Sequence, residues 1–164
     1  HNPNLVSILD GGLKKWLKEK KEITKDIKKF EKSYYSTHED TSLVLNKDQI
    51  DVNIKNKSFE LVDARSRERF LGLQPEPRKG LRSGNIEGSK NIPFTELINK
   101  NDRTFKKKEE LISIFEKNKV DPNKKIAFTC GSGITACVLG LTNSIISGKK
   151  PVIYDGSWTE YGIK

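Results

Sequence analysis

Hydrophobic and polar positions alternate along the chain in two rhythms. Short runs of apolar and β-branched residues are separated by longer segments in which apolar residues recur every three or four positions. The first rhythm is typical of buried strands and the second of amphipathic helices, so their alternation indicates βαβ units. We therefore expect an α/β fold in three layers, α/β/α, with a central, mostly parallel sheet of about five strands.

The two rhythms also locate the individual elements. The predicted strands are residues 42–45, residues 59–62 with Asp63 at their end, residues 126–129 and residues 152–154. The predicted helices are residues 46–56 capped by Asn46, a short one after Pro93, residues 106–118 with Leu111, Ile112 and Phe115 facing the core, and residues 135–147 ended by Gly148. Residues 71–91 are rich in glycine, proline and charge, which predicts a long, ordered surface excursion instead of a core element.

An internal echo bears on the domain organisation. The segment ILDGGLKKW, which starts at Ile8, recurs as IYDGSWTEY from Ile153, and isoleucine, aspartate and glycine coincide. If this is a repeat, the chain starts at the tail of one domain copy and ends near the tail of the next. The absence of methionine also indicates an excerpted or processed piece. We expect residues 1–19 to be the tail of a missing first domain, residues 20–40 a linker and residues 41–164 the domain proper, with the tail the loosest part.

Composition narrows the classes of function. The formal net charge of +9 suits nucleic acid, a membrane surface or small anions, but no RNA-recognition, zinc-finger or basic-zipper pattern is present. No apolar run approaches the roughly 20 residues of a membrane-spanning helix. The two cysteines form neither a C-x2-C metal pair nor a disulfide framework, which favours a reduced, intracellular setting, cytoplasmic or mitochondrial.

The segment IAFTCGSGITACVLGL carries the strongest chemical signal. It places Cys130 at the carboxyl end of a buried strand, before a Gly-Ser-Gly turn and a helix, where backbone N–H groups and the positive helix end stabilise a thiolate. The alternative, a small buried hydrophobe, weighs equally on the residues alone. Cys137 lies inside an apolar helix and is predicted to be a packed thiol. A cysteine phosphatase would need an arginine where this chain has Ala136, which disfavours that class.

CGSGIT resembles the active-site loop of the rhodanese superfamily, in the form typical of 3-mercaptopyruvate sulfurtransferases. The segments FELVDARSRERFLG, PEPRKGLRSGNIEGSKNIPF and YDGSWTEYG resemble the catalytic half of these two-domain enzymes, and ILDGGLKKW resembles the end of their first domain. The resemblance covers nearly the whole chain. Asn85 and Glu87 depart from the usual turn of the family, in which Gly84 and Gly88 are retained.

The resemblance implies roles for individual residues. Cys130 would carry sulfur, Arg69 and Arg78 would hold the substrate carboxylate, Asp63 would order the loop backbone and Ser132 would polarise or protonate the sulfur. The remaining implied substrate-binding residues of the loop are Gly131, Gly133, Ile134 and Thr135. On the residues alone, the two arginines also fit a solvated surface and Ser132 an ordinary turn residue.

The resemblance further implies transfer of sulfur through a cysteine persulfide to a thiol, thioredoxin-like or cyanide acceptor, without metal or organic cofactor. Thiosulfate-specific members carry basic side chains where this chain has Gly131 and Ser132, which favours 3-mercaptopyruvate as donor and leaves thiosulfate as the alternative. A non-catalytic binding module is the competing class. The binding-module hypothesis gains weight for this piece alone, since members of the family complete their active site with residues of the first domain. His38 cannot be assumed to replace those residues.

Overall fold

The computed structural model describes residues 5–37 and 39–164. The first four residues of the predicted tail and His38 lie outside the described residues. Within them, the strands are β1 (Val44–Leu45), β2 (Glu60–Asp63), β3 (Lys90–Asn91), β4 (Ile126–Thr129) and β5 (Ile153–Tyr154). The helices are α1 (Gly12–Lys18), α2 (Lys47–Asn56), α3 (Arg67–Phe70), α4 (Lys108–Lys117), α5 (Ala136–Ser147) and α6 (Ser157–Tyr161). None of these helices is long and apolar enough to cross a bilayer.

The strands form one all-parallel sheet in the order β1-β5-β4-β2-β3, which confirms the predicted α/β class. The central strands β2 and β4 lie side by side, with Asp63 opposite Thr129. The chain therefore leaves both strands at the same edge of the sheet. In open α/β sheets this carboxyl edge is where ligands bind.

Two apolar clusters cover the two faces of the sheet. Because side chains alternate along a strand, Leu61 and Ala127 point to one face, and Val62 and Phe128 to the other. The larger cluster consists of Val62, Ala64, Ile92, Leu97, Leu111, Phe115, Val120, Ile126, Phe128, Cys130, Ala136 and Leu139. The smaller one consists of Ile50, Leu61, Ile86, Ala127, Tyr154 and Trp158. The sheet is thus buried on both faces, as the continuous apolar runs of β2 and β4 predict.

Helix α2 begins where the sequence predicts. The Asn46 side chain accepts from the backbone N–H of Gln49 at 3.0 Å, and the Gln49 side chain accepts from the N–H of Asn46 at 2.9 Å. This reciprocal capping box satisfies two N–H groups that a helix start otherwise leaves unpaired. Helix α5 ends at Gly148, whose φ of +73° suits a residue without a Cβ.

Several details differ from the sequence prediction. Residues 42–43 belong to a 3-10 helix (Thr41–Leu43), so β1 keeps only the second half of the predicted strand. The excursion of residues 71–91 ends in β3, because Lys90–Asn91 pairs with β2, and Ile86 within it is buried in the core. Ile112 is only half-buried, since the core face of α4 is formed by Leu111 and Phe115.

The amino-terminal segment contacts the domain through polar side chains, among them Asp40, whose carboxylate pairs with Lys150 Nζ at 3.1 Å. The Asp10 carboxylate accepts from the backbone N–H of Phe105 at 2.9 Å. Helix α1 has no buried residue, and residues 21–37 form no regular element. Large apolar side chains along the segment are exposed, among them Leu5, Ile8, Leu13, Leu17, Ile23, Ile27, Phe30 and Tyr34.

Candidate active site

The candidate site lies at the carboxyl edge of β2 and β4. Cys130 follows the last residue of β4, and its residue surface is 2% exposed. Residues 130–135 form a loop, referred to below as the cysteine loop, that leads directly into α5. Ala64, just after β2, donates its N–H to the carbonyl of Thr129 at 2.9 Å. The two strands thus deliver the cysteine and the Asp63 segment to one place.

Ser157, at the start of α6, binds the backbone of the cysteine loop through its hydroxyl group. Its hydroxyl oxygen accepts from the backbone N–H groups of Cys130 at 3.2 Å and Gly133 at 3.0 Å, and its O–H donates to the carbonyl of Tyr154 at 2.8 Å. Ser157 is fully buried and has a φ of +50°. A serine side chain thus fixes both ends of the turn that contains Cys130.

Helix α6 holds the loop through its backbone as well. The N–H of Trp158 donates to the carbonyl of Cys130, and the N–H of Thr159 to that of Gly131, each at 2.9 Å. The Thr159 hydroxyl donates to the same Gly131 carbonyl at 2.5 Å. With its carbonyls turned toward α6, the loop is free to direct N–H groups to the opposite side.

Several loop N–H groups remain available to a ligand. Over residues 5–37 and 39–164, no acceptor is found for the backbone N–H groups of Gly131, Ser132, Ile134 and Thr135, nor any hydrogen bond for the Ser132 hydroxyl. Successive free N–H groups at the start of a helix form a concavity that suits an anion. Gly133 has a different part, since its N–H is bound to Ser157 and its φ is +81°. A Cβ there would lie 2.9 Å from the Asp155 carboxylate.

A buried chain of alternating charges runs from Asp63 to Arg69. Arg65 donates through Nε and Nη2 to Asp63 Oδ2 at 2.9 and 2.7 Å, and through Nη1 to Glu76 Oε1 at 2.9 Å. Glu76 in turn accepts from Arg69 Nε at 3.2 Å and from Nη2 at 2.6 Å. Burial raises the pKa of Asp63, while the adjacent Arg65 guanidinium and backbone N–H oppose that rise. Asp63 therefore anchors one end of this chain of charges and does not line the pocket.

Arg78 reaches the cysteine loop by another path. Its Nη1 donates to the Thr159 hydroxyl at 2.5 Å, and Thr159 is bound to the Gly131 carbonyl. Arg69 approaches the same glycine directly, since a Cβ on Gly131 would lie 3.1 Å from its Nη2. The structure thus brings both arginines of the predicted set to the loop.

The candidate site is a pocket of about 340 Å³. Its lining residues are Arg69, Glu76, Pro77, Arg78, Leu81, Cys130, Gly131, Ser132, Ile134, Thr135 and Thr159. Ile134 stands at its rim with 76% of its surface exposed. Larger cavities of about 610 and 600 Å³ lie against α2, but no cysteine lines them. Of the predicted site residues, Asp63 and Gly133 do not line the pocket and act on it through neighbours.

Cys137 differs from its prediction. The side chain is exposed instead of packed, because Cys137 lies on the side of α5 that faces away from the core, and its Sγ donates to the Gly133 carbonyl at 3.4 Å. Partial burial, and then the neighbouring Cys130 and Asp155, raise the pKa of the Cys137 thiol. Ala136, where a cysteine phosphatase needs an arginine, is fully buried.

The predicted site does not include Arg65, Glu76, Ser157 or Thr159. Charged residues in a loop and small hydroxyl residues after a turn are common at surfaces, so their pattern alone does not mark a site. The Asp-Gly step before Ser157, which signals a turn into a helix, was the one available hint. Within the described ranges, no cluster of three or more His, Cys, Asp or Glu side chains is arranged to hold a metal ion.

Comparisons with known proteins agree with this geometry. Residues 46–164 match the family model described as Rhodanese-like domain. The mouse protein named 3-mercaptopyruvate sulfurtransferase is 43% identical over 159 residues, and the mouse thiosulfate sulfurtransferase is 40% identical over 157. Each alignment covers 95% of this chain and 52% of the relative, so the chain spans about half the length of these relatives.

Solved structures show the same fold. The Tum1 protein from Saccharomyces cerevisiae superposes with a TM-score of 0.66 at 28% identity, over 73% of this chain and 43% of that one. The wild-type structure of EanB superposes with a TM-score of 0.81 over 93% of this chain and 38% of its own. At 21% identity, the second likeness is one of fold alone.

Proposed function

The chain belongs to the rhodanese-like domain family, and from that membership we propose that it transfers sulfur, carried as a persulfide on Cys130. One observation supports this most: the cysteine, unpaired loop N–H groups and two arginines line a single pocket. A persulfide anion needs hydrogen-bond donors around its outer sulfur, and the loop N–H groups of Gly131, Ser132, Ile134 and Thr135 supply them.

In the first proposed step, the Cys130 thiolate attacks the sulfur of 3-mercaptopyruvate. A sulfur–sulfur bond forms, the carbon–sulfur bond breaks, and its electron pair leaves with the carbon as the enolate of pyruvate. The enolate takes up a proton and leaves as pyruvate. Ser132, whose hydroxyl is unpaired in the described part of the chain, lines the pocket and is suited to donate a hydrogen bond to the sulfur in transit.

Arg69 and Arg78 are proposed to hold the carboxylate of the donor. Both line the pocket, and a guanidinium offers paired N–H groups that match the two carboxylate oxygens. Asp63 acts indirectly, because it fixes Arg65 and, through Glu76, Arg69. Gly133 serves the loop through its left-handed backbone and its N–H bond to Ser157.

3-Mercaptopyruvate is the favoured donor and thiosulfate the alternative. Relatives at 43% and 40% identity carry these two names. Gly131 and Ser132 add no positive charge to the loop, which suits a donor with one carboxylate better than a dianion. In the second proposed step, the outer sulfur passes to a cyanide or thiol acceptor, such as a thioredoxin-like protein. We propose that this takes place inside the cell, in the cytoplasm or mitochondria.

We also propose that residues 41–164 form the sulfur-carrying domain, residues 20–40 a linker, and residues 1–19 the tail of another domain. The two echoed segments support this, since each leads from an Asp-Gly step into a helix, α1 or α6. The exposed apolar side chains of residues 5–35 support it as well, because a domain packed there would bury them.

Mass spectrometry of the chain after incubation with 3-mercaptopyruvate tests the proposed function. We expect a gain of one sulfur atom on Cys130 and release of an equal amount of pyruvate. The Cys130→Ser variant gains no sulfur, because a serine hydroxyl is a poor sulfur acceptor, whereas Cys137→Ser gains it normally. A folded parent chain that gains no sulfur from either donor would point to a non-catalytic binding module.

A further inference from the structure

Glu76 is a buried carboxylate within an exposed loop. Its side chain is 2% exposed, although Pro75 and Pro77 on either side are at the surface. A carboxylate is stable in such a place only when donors replace its hydration. Glu76 has three, because Oε1 accepts from Arg65 and Arg69 and Oε2 accepts from Arg69.

The bond to Glu76 decides which part of Arg69 a ligand can use. The guanidinium gives its Nε–Nη2 edge to the carboxylate, at 3.2 and 2.6 Å. The Nη1 group and the second N–H of Nη2 remain, and together they form one further edge that matches one carboxylate. The Arg69 side chain is 24% exposed at the pocket, although Glu76 binds its other edge.

Glu76 also sets the charge of the pocket. The buried chain holds two carboxylates, Asp63 and Glu76, and two guanidiniums, Arg65 and Arg69, so its charges cancel. Arg78 is then the uncompensated cation among the lining residues. Without the Glu76 charge the pocket would gain one positive unit, and a dianion would gain about twice as much from it as a monoanion.

We propose that Glu76 is a positioning and specificity-determining residue, which holds Arg69 for a single carboxylate and cancels the charge that would otherwise attract a dianion. The inference rests on the proposed function and names the ligand chemistry of that pocket. Glu76 acts through Arg69 and does not itself touch the reacting sulfur.

Protection of Cys130 from alkylation tests this without any sulfur transfer. Iodoacetamide is used on the full chain carrying Cys137→Ser, so that Cys130 is the only thiol, and pyruvate and sulfate serve as the protecting monoanion and dianion. In Glu76→Gln, we expect the ratio of protection constants to shift toward sulfate by about tenfold, because charge and orientation change in the same direction. Glu68→Gln is the matched control, since Glu68 is exposed and its side chain has no ion pair in the described part of the chain.

Glu76→Asp separates the effect of the Glu76 charge from its positioning of Arg69. It keeps the charge, but its shorter side chain cannot reach both arginines. We expect weaker protection by pyruvate, unchanged protection by sulfate, and a ratio between those of the parent and Glu76→Gln. This variant carries the test by itself if a thermal melt shows that Glu76→Gln does not fold. Pyruvate protection equal to the parent's in Glu76→Asp would overturn the positioning role.

A double variant tests the route through Arg69. In the Arg69→Ala background, Glu76→Gln is expected to keep only its charge effect, because the residue that Glu76 positions is gone: protection by pyruvate rises, and on a logarithmic scale protection by sulfate rises about twice as much. Full additivity, or a ratio in Glu76→Gln equal to that in Glu68→Gln, overturns the inference. The proposed function is judged separately, because sulfur gained on Cys130 is measured by mass and protection by alkylation rate.

Discussion

Ser157 has a φ of +50°, a conformation that side-chain residues rarely adopt. Such a residue costs about 1–3 kcal/mol unless the surroundings hold it in place. Here the hydroxyl accepts from two loop N–H groups and from the Thr129 hydroxyl and donates to Tyr154, so four hydrogen bonds offset the strain. The strained residue therefore binds the backbone of Cys130 and shapes the loop that carries it.

Ser157→Ala is expected to lower the free energy of unfolding by about 1–3 kcal/mol, because two buried N–H groups lose their acceptor while the strain remains. Ser157→Gly loses the same acceptor but relieves the strain, so we expect a smaller loss. Both variants should slow alkylation of Cys130 by iodoacetamide. Urea denaturation and alkylation rates measure these effects. Ser113→Ala, on the exposed face of α4, is the control. If the Ser157 variants lose no more unfolding free energy than Ser113→Ala, the proposed role of Ser157 in holding the cysteine loop is wrong.

At the scale of elements, the cysteine loop limits where substrate preference can be altered. Gly131 does not adopt a positive φ, but a Cβ there would press on Arg69 Nη2 at 3.1 Å. Ser132 lines the pocket and has an unpaired hydroxyl within the described residues. A basic side chain is therefore better accommodated at Ser132 than at Gly131.

Ser132→Lys is expected to raise the rate of persulfide formation from thiosulfate relative to 3-mercaptopyruvate by about tenfold, since the added charge favours a dianion. Single-turnover mass spectrometry with each donor gives the ratio. Ser113→Lys adds the same charge on α4, away from the loop, and serves as the control. A ratio that changes equally in both variants would show that the loop does not set donor preference.

The buried charge chain links β2 to the excursion after α3. Arg65→Met would leave Asp63 and Glu76 buried without their shared partner, which we expect to cost about 3–5 kcal/mol. Arg67→Met is the control, because Arg67 pairs with Glu96 at the surface, where a pair contributes about 0–1 kcal/mol. Chemical denaturation of both variants provides the comparison.

The same variant has a pH signature. Burial raises the pKa of Asp63, and without the Arg65 guanidinium only the backbone N–H of that residue and the more distant Arg69 still oppose that rise. A group with a raised folded-state pKa stabilises the fold in its protonated form, at low pH. The deficit of Arg65→Met is thus expected to shrink as the pH falls through the raised pKa and to be largest above it. A deficit independent of pH would contradict this account of the buried carboxylates.

Local signals predict some elements well and others not at all. The apolar run of β4 and the capped start of α2 follow from sequence because their determinants lie within the segment. Strand β3 (Lys90–Asn91) has no such run, and pairing with β2 alone makes it a strand. The same holds for the site: Cys130 lies in a recognisable motif, whereas Glu76 is distinguished from a solvated loop residue by its burial and its two arginine partners, which only the fold shows.

At the scale of the whole molecule, the two ends of the chain differ in packing. Residues 41–164 enclose both apolar clusters, whereas residues 5–35 leave most of their large apolar side chains exposed. Leu13 and Trp16 show that apolar side chains of this segment are either exposed or only partly buried. Leu13 is exposed, and Trp16 is half-buried and donates to the backbone carbonyl of Glu22. An apolar surface of this kind is typical of an interface with another domain.

The proposed first domain is expected to complete the pocket. Ile134 and Arg78 are exposed beside it, so a donor bound in the pocket stays open to water unless another surface covers these residues. Closure excludes water and fixes the donor, and a small misplacement alone can reduce rates by about 100-fold. We therefore expect the 164-residue chain to accept sulfur at Cys130 but to turn over 3-mercaptopyruvate about 100-fold less efficiently than a longer form with that domain.

Steady-state kinetics of both forms supply the specificity constants. A form reduced to residues 41–164 is the control and should match the 164-residue chain, because it keeps the pocket and loses only the exposed segment. Equal specificity constants for the short and long forms would mean that Arg69, Arg78 and the cysteine loop suffice.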